Sequence, residues 1–273
     1  MSEPKLLVFD LDGTLLGPDH RIPRDILSLL LSLRDAGVGT TLATGRPFAA
    51  VTRFIEELDL GLPLIVFNGA AVVMPDGEPL SVRPLPLDRA RSALGLLQSA
   101  GVATHLYVEA ADTHFLTDRL GSEADYIREK DGMACDLVED LAGFLDDLEA
   151  DPVKLFSIGP REVLLGVQSA FRSLAPEATC VFSEHDMLEF LGPGVNKGTA
   201  LAALCSELGI GADSVVAFGD NLNDLEMLRA AGRGVSMAGA PDDMRLEADD
   251  TTDDLAGYLG KHFGHLVGKE LAA

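Results

Sequence analysis

The sequence predicts an α/β fold, a parallel-sheet core interrupted by an inserted α+β module. Three observations carry this. Short apolar runs near the N-terminus alternate with amphipathic segments in the order strand, helix, strand, helix, strand, the pattern of a parallel sheet with right-handed crossovers. The same βα texture returns in the last third of the chain. Between them the texture changes to helices mixed with shorter strands, which divides the chain into a core of residues 1–82 and 188–273 and an insertion of residues 83–187.

Leu6–Phe9 is a short, wholly apolar strand. "PRDILSLLLSLRDAG" reads as a helix with Pro23 at its start and Gly37 beyond its end. "VGTTLA" is a strand ending at Thr44-Gly45, "PFAAVTRFIEEL" a helix opened by Pro47, and "LIVF" a third strand ending at Asn68-Gly69. "AVVMPDGEPLSV" is a hairpin around Asp76-Gly77. In the insertion, "DRARSALGLLQSAG" and "REVLLGVQSAFRSL" are helices, and "ATHLYVEA", "THFLT" and "VKLFSIG" are strands. "TCVFSEHDMLEFL" is two strands turning at 184–186. The core resumes with the helix "NKGTALAALCSELG", the strand "SVVAFGD", the helix "LNDLEMLRAAG" and the strand "GVSM".

The chain of 273 residues is 47% hydrophobic, ample for a packed core. Its net charge of −23 disfavours nucleic acid and anionic lipid as partners. Three scattered cysteines without a CxxC pair suit a reduced cytoplasmic protein. The first residues hold too short an apolar run for a signal peptide, and no stretch is long enough for a membrane span.

The chemistry gathers at strand ends. In an open α/β sheet, ligands bind beyond the carboxyl ends of parallel strands. Here those ends carry Asp10 and Asp12, Thr44-Gly45, and Gly219-Asp220, and a helix N-terminus adds Lys197. Asp10 and Asp12 stand one residue apart, so their charges repel and something must compensate. Hard oxygen ligands suit Mg2+, which takes one or two carboxylates together with substrate phosphate. A cation there would leave Asp10 ionised and able to attack phosphorus, with Asp12 free to donate a proton to the leaving oxygen. P-loop, G-x-S-x-G and strand-linked G-x-G-x-x-G signatures are lacking.

"DLDGTL", "TLATGR", "VNKGTAL" and "FGDNLNDLEML" resemble the four ordered motifs of the haloacid dehalogenase-like (HAD) superfamily. The DxDGT start is similar to that of its phosphatases. An insertion between the second and third motifs, with "FNGA" at 67–70 and "LEFLGPGVNKGTAL", resembles the Cof-like subfamily IIB. The resemblance implies a Rossmannoid core with a type C2B cap. It makes Asp10 the nucleophile and a Mg2+ ligand, and Asp12 the general acid/base with its carbonyl on the metal. Asp220 would be a further ligand, and Asp224 would support the metal directly or through water. Thr44 and the Gly45 N–H would hold phosphoryl oxygens, Lys197 would neutralise phosphate and pair with Asp10, and Asn223 would contact phosphate. Plainer readings stay open. Thr44 could simply end its strand, Asp224 could balance a helix dipole, and Arg46 could order its loop or reach the cap instead of touching phosphate. The "DDTTDDLAGYL" stretch departs from the family's usual glycine-valine start of the last helix.

The expected function is Mg2+-dependent hydrolysis of a small phosphorylated metabolite, a sugar phosphate or phosphorylated cofactor, through an aspartyl-phosphate. The alternatives are a phosphomutase and a catalytically silent binding protein. The sequence leaves monomer and homodimer equally open. His105, Tyr107, Glu109, Lys154 and His185 are the polar candidates for substrate selection in the insertion.

Overall fold

The computed structural model describes residues 3–110 and 112–267. Positions 1–2, 111 and 268–273 of the expected core and insertion lie outside the described residues. In chain order the first elements are β1 (Leu6–Phe9), α1 (Arg24–Asp35), β2 (Gly39–Leu42), α2 (Thr52–Leu58), β3 (Leu64–Val66), β4 (Ala71–Val73) and β5 (Pro79–Val82). Next come α3 (Leu87–Ala100), β6 (His105–Tyr107), β7 (His114–Thr117), α4 (Ser122–Asp131), β8 (Ala134–Leu137), α5 (Leu141–Asp147), β9 (Lys154–Ile158), α6 (Arg161–Leu174), β10 (Ala178–Glu184) and β11 (Met187–Pro193). The chain closes with α7 (Lys197–Leu208), β12 (Val215–Gly219), α8 (Leu225–Ala230), β13 (Arg233–Met237), α9 (Asp242–Glu247), β14 (Asp250–Thr252) and α10 (Leu255–Phe263).

The first sheet has the order β14-β13-β12-β1-β2, and its strands are parallel. Both faces are covered, which is why β1 and β12 read as unbroken apolar runs. Leu6 and Val8 pack toward Leu201 and Leu204 of α7 and Met227 and Leu228 of α8. Leu7 and Phe9 pack toward Leu30 and Leu33 of α1 and Leu255 and Leu259 of α10. Phe9 stacks on Phe218 at 4.7 Å, locking β1 to β12. The chain leaves β1 in one direction to β2 and returns on its other side as β12, so the crevice between their carboxyl ends is the topological switch point.

One strand departs from the expected arrangement. β3 touches β2's extension through a single parallel bridge, Ala43 with Ile65, and its ladder instead runs antiparallel to β4 in the sheet β3-β4-β5. The reason is local. Phe67 and Asn68 both adopt positive φ, and the turn at Asn68-Gly69 sends the chain straight back. The β4–β5 hairpin turns at Gly77 as expected.

The second sheet has the order β10-β11-β9-β6-β7-β8. Period-two alternation gives it two faces. Leu106, Leu155, Leu188 and Phe190 face helices α3, α5 and α6 through residues such as Leu94, Leu145 and Phe171. Tyr107, Phe156 and Met187 belong to the cluster that includes the first sheet. α4, β8 and α5 were not anticipated; α4 adds Ala124 and Ile127 to that same face. The two chain crossings between the sheets lie side by side, with Gly192 so close to the Pro84 carbonyl that a Cβ would sit 2.3 Å from its oxygen. No helix among the described residues is long and apolar enough to cross a membrane. Cys135, Cys180 and Cys205 are free.

His105 is fully buried against Phe115 and Phe156, and neither ring nitrogen has a partner. Burial pulls its pKa down from 6.5 to about 4. Below pH 6.5 the unfolded chain binds a proton that the native chain refuses, so stability falls between roughly pH 6.5 and 4. By pH 5 the loss is about 2 kcal/mol. His105→Leu should flatten that part of the stability-versus-pH curve in chemical melts at pH 7 and pH 5. An unchanged slope would show that His105 does not titrate this way.

Candidate active site

Asp10 follows β1, and its backbone N–H donates to the Phe218 carbonyl of β12. The residues that follow wrap into one tight turn. Gly13 has φ +87°, and a Cβ there would sit 2.3 Å from an Asp220 carboxylate oxygen, so only glycine lets the turn press against Asp220. Thr14 Oγ1 donates to Asp220 at 3.0 Å.

Lys197 opens α7, capped by Asn196, and is fully buried. Its ammonium donates to Asp10 at 2.5 Å and to Asp224. The other Asp224 oxygen accepts the backbone N–H groups of Asp220 and Asn221 at 3.1 and 3.2 Å. Asp224 therefore pairs with Lys197 through one oxygen and braces the Asp220 loop with the other. Carboxylate oxygens of Asp10, Asp220 and Asp224 lie within 4.8 Å of one another. Burial, then repulsion from Asp224, drives the Asp10 pKa well up despite Lys197. The same two causes push Asp220 up to about 6.

Asp12 turns the other way. Arg46, almost fully buried, donates two bonds to its carboxylate at 2.7 and 2.8 Å. Burial alone would raise the Asp12 pKa, but the Arg46 fork outweighs it and holds the carboxyl below its usual range. The repulsion foreseen for the Asp10–Asp12 pair is thus met in part by the chain's own cations, one for each carboxylate. A third Arg46 nitrogen donates to the Lys130 carbonyl at 3.1 Å, across to the second sheet's elements. Arg46 does both things the sequence left open, ordering the loop and reaching the insertion.

Asp10, Asp12, Thr44, Gly45, Asp220 and Asn223 line one cleft of about 240 Å3. Lys197 and Asp224 lie buried beneath it. Thr44 Oγ1 accepts the Arg46 N–H at 3.1 Å. Asn223 gives one amide N–H to Asn68 at 2.9 Å. The opposite wall comes from the second sheet and α4: Tyr107, Lys130, Asp131, Lys154, Glu184 and Glu189, the last on β11 and so just past the insertion boundary read from the sequence. Lys154 pairs with buried Glu189 at 3.1 Å and donates to the Gly45 carbonyl. Asn68 also donates to Glu189, at 2.8 Å, and Asn221 donates to the Ser183 carbonyl. Of the five polar candidates for selection, Tyr107, Lys154 and His185 line the cleft; His105 is buried in aromatic packing and Glu109 stands exposed outside it. Asn68 and Glu189 were missed. Their signals were an Asn-Gly pair ending a strand and a lone carboxylate in the alternating apolar run "MLEFLG".

The family model of the haloacid dehalogenase-like hydrolases matches residues 7–256. The chain belongs to this family. It is 34% identical to an HMP-PP phosphatase of Serratia proteamaculans, over 86% of this chain and 84% of that one. It is 33% identical to an HMP-PP phosphatase of Yersinia pseudotuberculosis, over 89% and 87%. Among solved structures, a haloacid dehalogenase-like hydrolase from Bacteroides thetaiotaomicron superposes with a TM-score of 0.82 at 25% identity, over 96% of this chain and 100% of that one. A HAD subclass IIB sugar phosphatase has the same fold, with a TM-score of 0.80 at 23% identity over 95% and 99%. The chain is thus a haloacid dehalogenase-like hydrolase, an enzyme of the phosphatase type.

Gly13→Ala should displace the Asp220 carboxylate and strain the turn by about 1–2 kcal/mol. A misplacement of this kind costs roughly 100-fold in kcat/KM. Steady-state kinetics and a melt on the purified variant check this; wild-type kcat/KM would show that the turn does not position Asp220.

Proposed function

We propose that the protein is a cytoplasmic Mg2+-dependent phosphatase that hydrolyses small phosphate monoesters through a phosphorylated Asp10. The observation that carries this is the cluster of buried Asp10 and Asp224 and half-buried Asp220 with one lysine among them. Three carboxylates against one buried cation leave the cluster short of positive charge; burial first, and then repulsion from Asp224, raise the pKa values of Asp10 and Asp220. An all-oxygen donor set of this charge fits Mg2+. Asp10, Asp220 and the Asp12 carbonyl would hold it, with Asp224 acting through the loop it braces. Bound there, the ion would lower the carboxylate pKa values and neutralise charge on the transferring phosphoryl group.

The chain's residues then do the following. An Asp10 oxygen attacks phosphorus, and the leaving oxygen departs with a proton from Asp12. Water displaces the phosphoryl group from Asp10 while Asp12 takes its proton. Arg46 keeps Asp12 ionised in the free enzyme, which is the form that accepts a proton. Asp12 gains its proton for the first step as the substrate's negative charge enters beside it and raises its pKa. Thr44 and Gly45 offer their hydroxyl and backbone to the phosphoryl oxygens at the mouth of the cleft. Asn223 would contact phosphate through the amide N–H that its bond to Asn68 leaves free.

The sequence predicts residues 1–82 and 188–273 as the catalytic core and residues 83–187 as the cap that selects substrate; β11 (Met187–Pro193) belongs to the second sheet, so the cap runs on through that strand and the core resumes after it. The relatives' activity makes HMP-PP one compound to test, beside sugar phosphates. Asp10→Asn should abolish turnover with the fold retained, and adding Asp12→Asn should cost little more. Near-normal phosphate release by Asp10→Asn would sink the mechanism. Activity should vanish on exhaustive chelation and return with Mg2+ but poorly with Ca2+, which prefers more ligands at longer distances. Full activity in protein shown metal-free would contradict the metal assignment.

A further inference from the structure

Asp131 ends α4 and lines the cleft. Its side chain is about one-tenth exposed, yet its Oδ1 has no hydrogen-bond partner. The Arg46 guanidinium stands 3.8 Å away, beyond hydrogen-bond range, with its other nitrogens committed to Asp12. The Tyr107 hydroxyl also interacts with this carboxylate, and the unpartnered Oδ1 is the acceptor it leaves over.

Its surroundings narrow what that donor belongs to. Tyr107 and Phe156 stack at 5.4 Å, and with Ile127 and Met187 they give the cap wall an apolar face. The two cap lysines that line the cleft are both engaged, Lys154 with Glu189 and Lys130 with Glu184. Against them stand three carboxylates, Asp131, Glu184 and Glu189. This wall therefore offers an acceptor to an incoming group and repels further negative charge.

We propose that Asp131 is a specificity-determining residue that accepts a hydrogen bond from an O–H or N–H on the leaving group of the phosphate ester. This rests on the phosphatase reading above. The favoured leaving group is small and uncharged, with an apolar face for the Tyr107–Phe156 pair and a donor for Asp131: a polyol or an amino-substituted ring.

Matched esters test it, because both members of each pair release a primary alcohol and the comparison between wild type and variant cancels the difference in leaving-group basicity. One pair is a hexose 6-phosphate and n-hexyl phosphate; the other is 3-aminobenzyl phosphate and benzyl phosphate. Wild type, Asp131→Ala and Asp131→Asn are compared as full chains, each with a melt to confirm folding. In at least one pair, wild type should prefer the donor-bearing ester. Asp131→Ala should lower kcat/KM for that ester by about 10- to 100-fold, mainly through KM, and for its partner by less than about threefold. Asp131→Asn, which keeps an acceptor oxygen, should recover part of the loss. Equal losses within both pairs would assign Asp131 a structural role through Arg46 and overturn the inference, as would no loss at all. Wild-type enzyme inert on all four esters would overturn the phosphatase reading itself.

Discussion

The site is organised around one buried ammonium. Lys197 sits at zero exposure between Asp10 and Asp224, and nothing about burying a lysine is favourable by itself. Desolvating an ion costs roughly several kcal/mol, and only close opposite charge offsets it. Lys197 meets that condition with partners from two distant places, Asp10 at 187 residues' separation and Asp224 at 27. The pairing ties the end of β1, the start of α7 and the loop after β12 into one rigid unit. The long insertion between the first two is thereby closed at its base, and the cap wall is set opposite the carboxylates.

The lysine solves its own problem and leaves another. Two carboxylates satisfy one ammonium, and Asp220 stands beside them with a hydroxyl from Thr14 as its described side-chain donor. The Asp12 carboxylate cannot share the burden, since Arg46 takes it toward the insertion. The polypeptide thus separates two carboxylates that are neighbours in sequence. Asp10 belongs to a charge-poor buried cluster and Asp12 to a forked pair at the cleft mouth. Asp10 is suited to attack once a further cation arrives, and Asp12 to exchange protons with whatever occupies the cleft.

The core was legible because its physics is local. Unbroken apolar runs report strands covered on both faces, and glycines past helix ends report stops, as at Gly209 with its φ of +64°. The placement of Asp10, Asp12, Thr44, Gly45 and Asp220 at one edge followed from strand direction alone. β3 does lie parallel beside the end of β2, through Ala43 and Ile65, but its main ladder runs to β4, because three residues carry little information about which ladder they join and the positive φ at Phe67 and Asn68 turns the chain back. α4 left no sequence signal because "SEADYIREKD" buries only Ala124 and Ile127, too few to show a period. That silence hid Lys130 and Asp131. The Arg46–Asp12 fork and the Lys154–Glu189–Asn68 link were equally hidden, since each joins elements whose approach depends on how the second sheet sits over the first.

The central claim is that the Asp10–Asp220–Asp224 cluster sets three carboxylates around a single ammonium and therefore requires a divalent ion. Calorimetric titration of Mg2+ into metal-free protein, without substrate, tests it directly. The account predicts saturable binding of one Mg2+ per chain in wild type and its loss in Asp220→Asn, with the variant still folded. No saturable binding in wild type, or undiminished binding in Asp220→Asn, would contradict it.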